Sequence, residues 1–316
     1  MSELLTQVGP IDMDVIQPPQ QVDGEMKGPV YLADSTLSDG GSPVAVLFSQ
    51  WSDYSERAKQ QVRTEVLADH IKGLAVAVDN PGVSPEADPM SSGIKQALRE
   101  GDLSKVSMLQ WDAVGETLDQ KGRDFGDVER LVGYSLGSHL AASAAKHAPG
   151  EVSLSQLDLF ETPVISKKTS QAKTMATLAM RFLAHGGDKL TETIAANPDW
   201  AARCRDEDSL LLPKIILQRP AGLWQYPRAI THPDNDIISD LMSAGHRSLR
   251  EAVVTVSATD ADKISPINDN EWLVQRLGSA GLSVMGFEIM DAVHASQDNM
   301  AWWKGILEEI DAHVKI

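Results

Sequence analysis

A chain of 316 residues can bury about three quarters of its unfolded surface, so it needs no disulfide or metal staple to hold a core. The single cysteine, Cys204, excludes an internal disulfide framework, in keeping with a reducing compartment. With 45 acidic against 28 basic residues the net charge is −17, which disfavours nucleic acid and anionic membrane surfaces as partners and otherwise serves solubility.

The first residues, Met1-Ser2-Glu3-Leu4-Leu5-Thr6, hold neither a basic segment nor an apolar run, and no later window approaches the ~18 apolar residues of a membrane span. A soluble protein without a membrane span is expected, cytoplasmic or, as the alternative, cell-released. Residues 1–27 are polar and proline-containing, with Gln17-Pro18-Pro19-Gln20-Gln21 extended or irregular, and read as an N-terminal extension. Residues 28–34 read as a strand, and a turn at 38–43 leads into Val44-Ala45-Val46-Leu47-Phe48, an unbroken apolar run of the kind buried on both faces of a parallel sheet. After the polar loop 49–55, Val62, Val66, Leu67 and Ile71 have helical spacing. The strand at 74–78 ends in Asp79-Asn80-Pro81-Gly82-Val83-Ser84; a long polar connection follows, and helical sequence resumes around 111–118.

A short apolar run at 128–132 then meets Gly133-Tyr134-Ser135-Leu136-Gly137, and a helix-like stretch begins at Leu140. Strand, tight turn, helix is the context in which Gly-x-Ser-x-Gly exposes a serine at the carboxyl end of a strand, beside helix N–H groups that stabilise an oxyanion. Alone, the motif is also ordinary loop chemistry, so the rest of the chain has to supply partners. Residues 154–160 form another strand. Residues 165–232 then break the rhythm, with helical patterns at 175–183, 190–196 and 210–217 and no strand alternating between them, which predicts an inserted helical cap. The pattern returns with a helix at 237–249, a strand at 252–257, a helix around 272–277, a strand at 282–290 and a closing helix at 300–314. Trp302, Trp303, Ile306, Leu307 and Ile310 recur on that helix at core spacing. The expected class is α/β, a mostly parallel sheet flanked by helices, with the core in residues 28–164 and 233–316 and the cap in 165–232.

A serine nucleophile needs a base, and the base needs an orienting acid. Asp260-Ala261-Asp262 follows the strand ending at Ser257, and Asp291-Ala292-Val293-His294 follows the strand ending near Met290, so both emerge at the sheet edge that carries Ser135. The chain order Ser, Asp, His is the one expected of such a sheet. His139 and His147 lie on the helix after Ser135 and read as packing or surface residues; His185, His232 and His246 belong to the cap or its junction. No metal-ligand spacing is present, Gly40-Gly41 is a turn rather than a phosphate cradle, and no metal or other cofactor is expected.

At these residues the sequence resembles the α/β-hydrolase family from about residue 28 to the end, apart from the cap. Residues 44–51 look like the family's third strand and oxyanion loop, and residues 78–84 are similar to its Asp-x-x-Gly-x-Gly-x-Ser turn with the second glycine region shortened. Asp262-x-Ile264-x-Pro266 matches the family's acid loop and favours Asp262 over Asp260, with Glu161 an alternative because some members take the acid from the preceding strand. The resemblance implies Ser135 as nucleophile, His294 as base, Asp262 as acid, and the N–H groups of Leu136 and Trp51 as the oxyanion hole, with Gln50 the donor if the strand is one residue shorter. Ser49-Gln50 stands where the family usually has His-Gly, so this loop lacks the expected glycine; the Gln50 side chain is an additional donor, and Trp51 serves equally well as an acyl-pocket wall. Gln50 and Tyr134 are assigned to substrate contact. A serine here disfavours dehalogenases and epoxide hydrolases. The implied activity is hydrolysis of a small-molecule carboxylic ester or related acyl compound. The alternatives are a hydrolase-fold binding or assembly protein with little turnover, and an esterase of lipid, cell-envelope or polyester substrates.

Overall fold

Apolar runs of this length satisfy themselves only where both faces of a strand are covered. The computed structural model describes residues 12–16, 30–35, 41–50, 58–84, 89–164, 170–185, 220–260, 262–290 and 300–314. Within them one sheet contains β1 (Asp12–Ile16), β2 (Val30–Asp34), β3 (Val44–Phe48), β4 (Leu74–Val78), β5 (Val128–Tyr134), β6 (Gln156–Phe160), β7 (Val253–Thr259) and β8 (Ser283–Ile289). Their spatial order is β1-β2-β4-β3-β5-β6-β7-β8. From β4 to β8 all neighbours are parallel, whereas β2 is antiparallel to both β1 and β4. The chain runs from β3 outward to β4, then crosses back to lay β5 on the other side of β3. That reversal leaves a crevice at the carboxyl ends of β3 and β5, where ligands bind in open sheets of this kind.

Successive residues of each strand feed two cores. On one face α1 (Ala58–Ile71) and, at the end of the chain, a helix at Met300–Val314 pack Val62, Val66, Leu67, Trp303, Leu307 and Ile310 on Ala45, Leu47, Val132 and Phe160. The Phe160 and Trp303 rings meet edge to face at 4.9 Å. On the other face lie α2 (Ser92–Arg99), α3 (Ser104–Gln120), α4 (Leu136–Lys146), α6 (Pro220–Ile230), α7 (Ile237–Gly245) and α8 (Ile267–Ser279), packed on Val44, Val46, Phe48 and their neighbours. α5 (Gln171–His185) packs on α6 and precedes it in the chain; the closing helix is α9.

The expected strands are present, each within about two residues of its predicted ends. Three elements were not anticipated: β1, α2 and α6, the last lying between the 210–217 pattern and the helix expected from 237. β1 lies inside the segment read as an extension; Asp12-Met13-Asp14-Val15-Ile16 is too short and acidic to announce a strand, and takes its conformation from pairing with β2. α2 lies in the polar connection, where only Ile94, Ala97 and Leu98 turn inward and Ser91 caps the helix by accepting the Ile94 N–H at 3.2 Å. Of the three helical patterns expected in the cap, the first falls within α5, while 190–196 and 210–217 lie outside the described residues. The Trp302 side chain is also outside them. No helix among the described residues is long and apolar enough to cross a membrane.

One buried ionic network ties the two helices of the first face to the sheet. Asp158, in the middle of β6 and fully buried, accepts from Arg130 Nε at 2.6 Å, Thr255 Oγ1 at 2.6 Å and Gln156 Nε2 at 2.8 Å. Arg130 also pairs with Asp311 of α9 at 3.1 Å, and Asp311 meets His70 Nε2 of α1 at 2.7 Å. Burial alone would push the Asp311 carboxyl up, but the His70 hydrogen bond and the charges of Arg130 and His70 outweigh it and hold it down to about 2. A carboxylate held below its unfolded value contributes stability above that value and loses it as pH falls through the folded one. Asp311→Asn is therefore expected to lower the unfolding free energy near neutral pH by about 1 kcal/mol, a figure reduced for partial exposure. Urea titrations from pH 6 downward should show the gap between wild type and variant closing as the pH falls from about 4 to about 2.

Candidate active site

The turn from β5 into α4 is made at a residue with a side chain, in backbone geometry that side chains rarely adopt. Ser135 has φ 51° and ψ −119°. Among the described residues the other non-glycine positive φ values belong to Lys72 and Glu161. Strain of this kind costs about 1–3 kcal/mol and persists where the surroundings over-determine it. Here they do: Ser135 N donates to the Phe160 carbonyl at 2.8 Å, Ser138 N to the Ser135 carbonyl at 3.0 Å, and Ser138 Oγ to the Gly133 carbonyl at 3.1 Å.

The two motif glycines are demanded by close approach. A Cβ on Gly133 would stand 2.6 Å from both the Gly137 carbonyl oxygen and the Ser138 Cα. A Cβ on Gly137 would overlap the Phe48 carbonyl oxygen and lie 2.9 Å from that of Ser49. The amino terminus of α4 thus rests directly on the end of β3. Ser135 is half-buried at the N-cap position, and Leu136 is the first helical residue, in the turn whose N–H groups have no partner within the helix. That is the place where a helix stabilises negative charge.

Two carboxylates end the next strands. Glu161, directly after β6, is fully buried with φ 48°, and its Oε2 accepts the Tyr134 hydroxyl at 2.5 Å. Asp262, just past β7, is 4% exposed, and its Oδ1 accepts the N–H groups of Ile264 at 2.7 Å and Ser265 at 3.0 Å. Asp260 is exposed. Backbone contacts join these ends: Glu161 N donates to the Ser257 carbonyl at 2.7 Å, and Ser265 Oγ to the Glu161 carbonyl at 2.7 Å. The serine turn, the Glu161 corner and the Asp262 loop therefore form one hydrogen-bonded rim. β8 ends at the same edge, and α9 begins at Met300; His294 lies between them, outside the described residues.

The loop after β3 also reaches this rim. Ser49 is buried and Gln50 half-buried, while Trp51 lies outside the described residues. Asn80 Nδ2, past the end of β4, donates to both carbonyls, Ser49 at 3.2 Å and Gln50 at 3.1 Å. Ser49 Oγ donates to the Val78 carbonyl at 3.0 Å and accepts from Gln60 Nε2 of α1 at 2.9 Å. Tyr134 is 3% exposed and clusters with Val132, Phe160 and Trp303, so it faces the interior and Glu161. Asn80 and the Tyr134–Glu161 pair are features that motif spacing did not reveal; the only local signal was the unusual polarity of residues at strand ends. His139 is buried on α4 and lines a cavity with Pro163, Val164, Ile230, Ile237 and Trp272, under the junction of α6 and α7. Among the described residues no cluster of three or more His, Cys, Asp or Glu side chains could hold a metal ion.

No protein-family model matches the sequence, and no curated protein matches it. Solved structures do. Carboxyl esterase 2 from the mycorrhizal fungus Tuber melanosporum superimposes with a TM-score of 0.55 at 12% identity, over 98% of this chain and 88% of that one. A thermostable esterase from Pseudomonas putida does so with a TM-score of 0.57 at 14% identity, over 97% and 84%. An esterase from Pyrobaculum calidifontis gives 0.55 at 15% identity, over 98% and 85%.

The strained turn and its glycine cradle have opposite mutational signatures. Ser135→Gly relieves the positive φ and is expected to raise the unfolding free energy by about 1 kcal/mol. Gly137→Ala forces a Cβ into backbone and is expected to cost about 3 kcal/mol or more. Denaturant titration of both variants against wild type reads the two signs directly.

Proposed function

We propose that this chain, which has the α/β-hydrolase fold, is a serine hydrolase cleaving a carboxylic ester or related acyl substrate. The observation that carries this reading is the strained Ser135 at the amino terminus of α4, held in a glycine cradle at the crevice where the strand order reverses. The esterase names of the structural neighbours agree with it.

Ser135 Oγ attacks the substrate carbonyl while His294 takes its proton. The tetrahedral oxyanion is received by the N–H of Leu136 and that of Trp51, and His294 then protonates the leaving alcohol. Water repeats the sequence on the acyl-enzyme and regenerates the serine. Asp262 holds the imidazole tautomer; the two backbone N–H groups on its Oδ1 lock the carboxylate's direction, and its burial separates it from the exposed Asp260. Gln50, at the mouth of the same loop, contacts substrate. For Tyr134 we propose support of the Glu161 corner beneath the serine, because its hydroxyl is bound there. The cap expected in 165–232 shapes acyl or alcohol specificity.

A fluorophosphonate probe tests the reading. Rapid labelling of wild type, none in Ser135→Ala and strongly reduced labelling in His294→Ala are expected. Asp262→Asn should lower kcat on a p-nitrophenyl ester by about 10³–10⁴-fold through the wrong tautomer. Absence of labelling together with no turnover across acyl chain lengths would sink the hydrolase reading and leave a binding or assembly protein. A chain-length optimum at long acyl groups would instead place the substrate among lipids or polyesters.

A further inference from the structure

The loop after β3 lacks the glycine expected there, yet its first two residues, Ser49 and Gln50, are tightly bonded. We propose that Asn80 is a positioning residue that sets the oxyanion loop by capturing its two carbonyls; this rests on the serine hydrolase reading above.

The side-chain amide of Asn80 has two hydrogens, and each is used: one on the Ser49 carbonyl at 3.2 Å, one on that of Gln50 at 3.1 Å. With the amide turned over, its oxygen would face two carbonyl oxygens, so the contacts fix its orientation. Gln110 Nε2 completes the arrangement, reaching Asn80 Oδ1 at 3.4 Å and the Asp79 carbonyl at 3.1 Å. Asn80 and Gln110 are 1% and 3% exposed, so water does not compete for these bonds.

Geometry does the rest. A planar trans peptide carries its N–H opposite its C=O. Asn80 holds the carbonyl ends of two consecutive peptides, and through their planarity it restrains the orientation of both peptide units. The N–H groups of those units belong to Gln50 and Trp51, the two alternative donors for the oxyanion hole. Asn80 therefore replaces the conformational freedom of a glycine with a buried polar clamp. Ser49 Oγ, bonded to Val78 and Gln60, pins the first residue of the loop.

Asn80→Asp keeps the shape but presents oxygens to both carbonyls, and Asn80→Ala removes the clamp; if the buried charge prevents the first from folding, the second carries the test. Both are expected to lower kcat on p-nitrophenyl acetate by about 10–100-fold, less than outright loss of a donor. KM should stay within about threefold, and affinity for a phenylboronic acid, which mimics the tetrahedral oxyanion, should fall in step with kcat/KM. Folded variants that keep kcat and boronic acid affinity within about twofold of wild type overturn the role of Asn80 and leave the hydrolase reading standing. A change confined to KM or to the melting temperature overturns that role as well. A wild-type protein that neither labels with fluorophosphonate nor turns over ester removes both readings together.

Discussion

The amino terminus of α4 lies against the end of β3 so closely that no side chain fits between them, and the arrangement of the crevice depends on this contact. Gly137 permits the approach, since a Cβ there would collide with the Phe48 carbonyl. The approach in turn forces the chain to leave β5 through a left-handed residue, and Ser135 is that residue. Tertiary packing on both sides is what holds it: Phe160 of β6 takes its N–H, and Ser138 closes on its carbonyl. The strain is thus maintained by the sheet itself rather than by local sequence preference.

Around that contact the protein uses buried polar groups where an apolar core would give no direction. On the first face Arg130, Asp158, Asp311 and His70 join two helices to three strands. At the rim Tyr134 and Glu161, Ser265 and the Asp262 loop, and Asn80 with the Ser49-Gln50 carbonyls each fix a turn. Partnered groups of this kind add little net stability, but leaving one partner unmet is costly, so they select one geometry over near alternatives. That is the property a site needs when reacting groups must be held to fractions of an ångström.

Much of the scaffold was legible because its signals are local. Val44-Ala45-Val46-Leu47-Phe48 and Leu74-Ala75-Val76-Ala77-Val78 are apolar at every position, which only a strand covered on both faces explains. The closing helix was legible from the spacing of Trp303, Leu307 and Ile310. β1 was not, since a five-residue acidic segment becomes a strand only when β2 offers an edge to pair with. α2 was missed because three inward residues in a short polar helix carry too weak a period. In the rim, the preference for Asp262 over Asp260 came only from the resemblance of its loop to the family's acid loop; the structure buries Asp262 and exposes Asp260.

What the sequence determined by itself was the run of strands from β2 to β8, their helix-length spacing, and the presence of a Gly-x-Ser-x-Gly turn followed in chain order by an acid and a histidine after later strands. These depend on residue type and short-range spacing alone. Only the tertiary structure decided which strands are neighbours, and so that β3 and β5 flank the crevice, that Asn80 just past β4 meets the Ser49 and Gln50 carbonyls, and that Tyr134 turns inward to Glu161. The physical reason is separation: Asn80 and Gln50 are 30 residues apart, and Tyr134 and Glu161 are 27 apart. Contacts across such distances are set by how the sheet is ordered, which no local pattern of residues encodes.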